Sequence, residues 1–397
     1  MEKNKTGKYR LKAIKNITAL CFMMVLCLSG IWSCAHKAGT TGKQESAEKL
    51  TLKYATQFDV SYYDGGYKLI HIADGSDYVI VPDGKKDDDL GITDAVIIHE
   101  KPENIYLAAS SAMDLFVALD STENIKTCST TADDYTIEEA TEKIKNGDII
   151  YVGKYRSPDY ETILDTGCDL AIESTMITHA PEIKEELERL GIPVLTERSS
   201  YEKDPLGRLE WIKLYGVLLG KEKEAESFFV REEEKVNALT QELEQTQTQT
   251  QAKEQKKVAF FYVSSNGYIN VRKPGDYVSS MIEMAGGIYA YRDIADESDN
   301  ALSTMNINWE EFYRCTVDAD ILIYNATVDG GVRNIQELLD KNELFAEFKA
   351  VREGNVYCSY ADLFQRISLV ADIITDMYGI INSGDAKDLK FMYKLER

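Results

Sequence analysis

Three groups of residues in this chain could do chemistry. The first is one cysteine, Cys34, whose thiol could carry a thioether-linked lipid. The second is a set of small polar residues that follow apolar runs: Ser110 and Ser111, Glu173-Ser174-Thr175, Ser265 with Asn266, and Asn325. Set at helix starts, where backbone N–H groups are free, they would suit an anionic ligand. They would serve equally as ordinary helix caps. The third group is basic and aromatic: Lys154-Tyr155-Arg156, Arg198, Arg208 with Trp211, Arg272-Lys273, and Tyr360 with Phe364 and Arg366. A guanidinium fork fits carboxylate or catecholate oxygens, so this group predicts an anionic ligand between aromatic walls. Surface ion pairing with the many acids is the competing use. No G-x-S-x-G, P-loop or H-E-x-x-H occurs, and the folded part offers only His71, His99 and His179. That is a poor supply for a zinc site. No catalytic residue and no cofactor is expected; the chain reads as a binder, not an enzyme.

Cys34 takes its meaning from what precedes it. Lys3, Lys5, Lys8, Arg10, Lys12 and Lys15 stand against one acid, Glu2, and a short apolar run begins at Ile17. A basic region followed by such a run is a secretory leader, too short to span a membrane comfortably. Ile31, Ser33 and Cys34 have the spacing of a bacterial lipobox, with Trp32 bulkier than usual. Residues 1–33 are therefore expected to be removed, leaving Cys34 lipidated and the protein tethered outside the cell membrane.

The formal charge of the 397 residues is −22. Loss of the leader, with its six bases and single acid, takes the mature chain to −27. A surface so acidic repels nucleic acid. Cys128, Cys168, Cys315 and Cys358 are widely spaced, and whether they pair stays open.

The elements that must position these residues can be read in order. Alternating runs at 58–63, 67–72 and 78–81, broken by Gly-Gly and Asp-Gly turns, predict an antiparallel meander. Asp87-Asp88-Asp89 reads as a solvated turn. From Asn104 onward strand runs alternate with helices, the one from Ala180 opening on Pro and closing on Gly191. Such alternation predicts a mainly parallel sheet covered by helices. A second series opens at Val258. Between the two, residues 221–243 lack Gly and Pro and carry an apolar stripe, a stiff helix long enough to bridge two lobes. The expected organisation is a leader (1–33), a flexible tether (34–49), an N-terminal lobe (50–220), a linking helix (221–243), a polar loop (244–257) and a C-terminal lobe (258–397). The fold class is α/β, and ligands in such sheets sit beyond the carboxyl ends of the strands.

Several segments resemble the substrate-binding lipoproteins of bacterial ABC importers, of the iron-complex (siderophore, haem) and cobalamin class. They are Pro102 to Phe116, Tyr160 to Thr175, Gly191-Ile-Pro-Val-Leu, Pro205 to Gly216, and Gly275-Asp-Tyr through Gly287. The resemblance spans roughly residues 50–381. It implies two Rossmann-like lobes joined by one long helix, and a monomer that carries a metal complex, here a siderophore-like iron chelate, to a permease and ATPase. It also implies an acid on each lobe that docks on the permease: Asp114 and Glu283. A surface receptor or adhesin on the same scaffold, or a haem or corrinoid carrier, is the alternative.

Overall fold

The computed structural model describes residues 48–86, 92, 94–249, 254–294, 303–383 and 388–397. The leader, Cys34, nearly all of the tether and the acidic run 87–89 lie outside the described residues.

The first sheet is the expected meander with two additions, Glu48–Lys49 and Val96–His99. Strands β1 (Glu48–Lys49), β2 (Phe58–Tyr62), β3 (Lys68–Ile72), β4 (Asp77–Val81) and β5 (Val96–His99) lie in chain order. The first four pair antiparallel, and β5 joins β4 in parallel.

The second sheet is parallel throughout. It holds β6 (Ile105–Leu107), β7 (Ile125–Cys128), β8 (Ile150–Tyr151), β9 (Leu170–Ser174) and β10 (Val194–Glu197), in the order β10-β9-β6-β7-β8. Helices α1 (Met113–Ala118), α2 (Glu138–Asn146), α3 (Tyr160–Asp165) and α4 (Pro181–Arg189) alternate with the strands. Asp159 caps α3, and Pro181 opens α4. Local chemistry thus sets the helix starts.

The third sheet combines β11 (Lys257–Val263), β12 (Ile269–Arg272), β13 (Ile288–Tyr289), β14 (Thr304–Ile307), β15 (Ile321–Tyr324), β16 (Val356–Ser359) and β17 (Met392–Lys394). Its parallel centre is β11-β15-β16. A hairpin, β11–β12, and the antiparallel β14 extend one edge. The sequence pattern shows a strand followed by a helix there; the turn at 264–268 instead returns the chain as β12. Helices α7 (Tyr277–Met284), α8 (Trp309–Thr316), α9 (Ile335–Lys341), α10 (Lys349–Glu353) and α11 (Val370–Tyr378) follow. Asp276, Asn308 and Asn334 cap α7, α8 and α9.

Two consecutive helices run between these sheets, α5 (Pro205–Leu219) and α6 (Glu222–Gln249). Every residue of α5 is buried; it packs on α1 of the N-terminal side and on α7 and α11 of the C-terminal side. Gly220, at φ 67°, ends α5 in a left-handed turn that favours glycine. Gly216 lets α6 come close, since a Cβ there would lie 2.7 Å from that of Ala225. The α6 helix reaches Gln249, so the first residues of the expected polar loop 244–257 are helical. Glu and Gln are good helix formers and no Gly or Pro intervenes. At 1.5 Å per residue α6 is about 42 Å long.

Candidate ligand-binding site

The N-terminal candidates meet at the ends of three adjacent strands. Ser110 and Ser111 come after β6, Ser174 ends β9 with Thr175 next, and Glu197 ends β10. Ser111 Oγ lies 3.5 Å from Glu197 Oε2, and Ser174 accepts from Met176 N as a cap. Glu197 is buried, which raises its pKa, while Ser199 N–H and the nearby Arg208 charge pull it back. Glu173 departs from expectation. Its carboxyl is buried in the sheet interior, not open to a cleft, and neither oxygen has a partner. Burial alone pushes its pKa up to about 8. The Tyr106 hydroxyl close by is also unpartnered.

The arginines correct a larger expectation. Arg272 is buried and bidentate with Asp276, both contacts at 2.7 Å. Burial opposes its charge, and Asp276 outweighs that, so its pKa is raised. Its guanidinium also lies 5.1 Å from the ring centres of Tyr277 and Phe364. Arg208 is buried in α5 and stacks at 3.9 Å on Tyr277, its Nε without a partner. Arg198 stacks on Tyr201 at 4.4 Å. Lys154 and Arg156 are exposed in the loop after the edge strand β8, and Arg156 Nε donates to Tyr155 OH at 2.8 Å. Of these, Arg272 is committed to an acid; Arg208 has a ring contact alone, and Arg156 and Arg198 spend Nε on Tyr155 and Gln57.

What the structure does bring together is a depression of about 320 Å³ beside the carboxyl ends of β11 and β15. Tyr262, Asn270, Arg272 and Thr304 line it from the sheet, and Asn325 and Thr327 from the loop after β15. Phe364 and Gln365 wall it from above. Of the expected residues, Arg272 and Asn325 line it. Asn325 Oδ1 accepts from Thr327 N and Oγ1. Tyr360 stands one residue before the lining Ala361 and packs on Tyr393 at 5.1 Å, half exposed. Ser265 and Asn266 lie exposed in the β11–β12 turn. The β11–β12 hairpin, which the sequence pattern does not show, brings Asn270 opposite Tyr262 and Arg272 onto the same strand face as Asn270. The i, i+2 spacing of Asn270 and Arg272 was the available signal.

The wall is tied to the other side of the molecule. Gln365 Oε1 accepts from Thr136 N and Oγ1, both at 3.0 Å, and its Nε2 donates to Asp134 O at 2.8 Å. Arg366 Nη2 donates to Thr136 O at 2.7 Å and its Nε to Asp362 at 3.3 Å. Asp114 belongs to the same junction. Its Oδ2 accepts from Ser368 N at 2.7 Å, Arg366 stands 3.9 Å away, and it is 2% exposed. Burial raises its pKa. The structure overturns the expected permease-docking role of Asp114: its carboxylate is consumed inside the molecule. Glu283, on α7, is exposed.

A profile described as periplasmic binding protein matches residues 107–362. The chain belongs to the periplasmic binding protein family. The match takes in the parallel sheet of the N-terminal side, α5, α6 and most of the third sheet. An uncharacterized lipoprotein of Methanocaldococcus jannaschii is 24% identical over 96% of this chain and its own full length. A second lipoprotein of that organism is 27% identical over 65% of this chain, and the match spans 59% of that relative's length. Two solved structures share the fold. One is a petrobactin-binding protein of Bacillus subtilis, 12% identical, TM-score 0.56, over 84% of this chain and 99% of its own. The other is a periplasmic heme-binding protein of Pseudomonas aeruginosa, 16% identical, TM-score 0.56, over 75% and 99%. The family comprises substrate-binding transport proteins that work with permease and ATPase complexes; it is not an enzyme class. Among the described residues no helix is long and apolar enough to cross a membrane, and no cluster of His, Cys, Asp and Glu could hold a metal ion.

Proposed function

We propose that this periplasmic binding protein is a lipid-anchored, extracytoplasmic carrier that captures a siderophore-like iron chelate and hands it to an ABC permease. One observation carries the proposal. The depression beside β11 and β15 is walled in part by Gln365, which is hydrogen-bonded to the opposite half of the molecule. A ligand held there would bear on the junction between the halves, which a permease could sense. The volume lies at the low end of the range for small-molecule sites. Arg272, Asn325 and Gln365 are the proposed ligand contacts, with Ser110 and Ser111 behind the same junction. Glu283 remains a proposed docking acid for the permease.

Native mass spectrometry of protein purified from its own cells, with an absorption spectrum, tests the ligand. A bound ferric chelate with a charge-transfer band is expected. A Soret or corrinoid band would replace the siderophore by haem or cobalamin. The anchor has its own test. Cys34→Ala should release the protein from membranes, because two acyl chains anchor stably and none remain without the thiol. A variant still membrane-bound after high-salt washing would remove the lipoprotein assignment.

A further inference from the structure

Resting on that reading of the depression, we infer that its ligand is a neutral or cationic chelate, not a polyanionic one. The inference comes from where the cations at and beside the depression are committed. Arg272 is the cation among the lining side chains, and both of its contacts go to Asp276 at 2.7 Å. That pair is buried and close to neutral as a unit. Arg366, next to the lining Gln365, faces Asp362 and Asp114. Lys341, which approaches the Tyr324 ring at the end of β15, is paired with Asp329 at 2.8 Å. Arg208 does not line the depression; it is buried behind Tyr277 and stacked on that ring.

What remains to greet a ligand is uncharged. The lining is polar and neutral: the amides of Asn270 and Asn325, which each also bond a neighbour through one end, the amide of Gln365, which is spent on Thr136 and Asp134, the hydroxyls of Thr304 and Thr327, and the rings of Tyr262 and Phe364. Asp362 Oδ1 is buried without a partner, one more acceptor close to the wall. A ferric tricatecholate carries three negative charges. Moving it here would strip its water without supplying a counter-charge, which is costly. The strongly acidic chain, −22 before loss of the leader, adds long-range repulsion. A neutral or singly positive trihydroxamate meets neither penalty, and its amide and carbonyl groups match the lining. Corrinoids fit the same rule; haem, with two propionates, does not.

The test is a titration of the whole membrane-purified protein, followed by quenching of its intrinsic fluorescence. Three probes differ in charge: ferrioxamine B (positive), ferrichrome (neutral) and ferric enterobactin (triply negative). Ferrioxamine B or ferrichrome should bind at least roughly 100-fold more tightly than ferric enterobactin at equal ionic strength, given several kcal/mol for an uncompensated charge. Tightest binding of ferric enterobactin would overturn the charge rule and leave the chelate carrier standing. Absence of binding by all three would overturn the iron-chelate reading, and the charge rule with it. Asp276→Asn adds an independent arm. Asparagine still caps α7 but frees the Arg272 charge, so affinity for ferric enterobactin should rise about 10-fold or more and that for ferrioxamine B should fall. An unchanged preference in a variant with wild-type melting would also overturn the inference. Should that variant not fold, the three wild-type titrations still decide.

Discussion

Glu210→Ala should cost about 3–5 kcal/mol of stability, the range for breaking a buried charge pair. Glu210 is fully buried in α5 and does two jobs. Its carboxylate accepts from the backbone N–H groups of Lys53, Tyr54 and Ala55 at 2.8–3.0 Å. It also faces Lys213 at 3.0 Å, whose side chain is 3% exposed. Alanine would leave three donors without an acceptor, each worth roughly 1–3 kcal/mol if it stayed buried. Lys213 would keep Glu226, the Thr51 carbonyl and the face of the Phe229 ring. Local opening of residues 53–57 would let water in and hold the loss below the sum. Glu202 tethers the adjoining Thr56 and Gln57 in the same way. The melting temperature should fall by roughly 10 °C, and Glu210→Gln, which keeps one acceptor, should lose less. A drop below about 2 °C for alanine would show that the segment is held by its apolar contacts alone. Because residues 53–57 precede β2, such a loss would also loosen the entry of the chain into the first sheet.

The parts of the fold that local chemistry decides were legible. Period-two runs broken by Gly-Gly and Asp-Gly became β2, β3 and β4. Pro181 marked the start of α4, and the absence of Gly and Pro marked α6. The strand–helix alternation called for parallel sheets with Ser110, Ser174 and Asn325 at their carboxyl ends. What was hidden depends on partners far apart in sequence. Asp114 reads as a helix acid ready for a partner until Ser368, 254 residues on, is seen to occupy it. Nothing local marks Glu210 as buried; residues 53–55, some 155 positions earlier, close over it. Arg272 and Asp276 are four apart, but one ends a strand and the other caps a helix, so no helical spacing rule joins them. The site was therefore legible as a place and not as a set of charges. Residue types suggested an anionic ligand, and the pairing of those residues removes the reason for one.

The same competition between burial and charge sets a pH dependence. Glu173 is held with no hydrogen-bond partner, and burial lifts its pKa from 4.5 to about 8. The folded state therefore keeps a proton that the unfolded chain releases above about pH 4.5. A folded pKa above the unfolded one contributes stability that is fully present below the unfolded value. It is lost as pH rises through the folded value. The wild-type protein should lose stability steadily from about pH 5 to about pH 8 through this one group, by on the order of 3–5 kcal/mol. Glu173→Gln replaces the protonated acid by a neutral group of the same shape. Its unfolding free energy should be nearly flat over that window and should exceed that of the wild type at pH 8. The unpaired amide donors would trim the gain, and Glu173→Leu, which has none, should retain more of it. Urea unfolding at a series of pH values gives the slopes directly. Equal slopes in wild type and both variants would mean that Glu173 is ionised in the folded protein, with water or a counter-charge reaching it beside Tyr106.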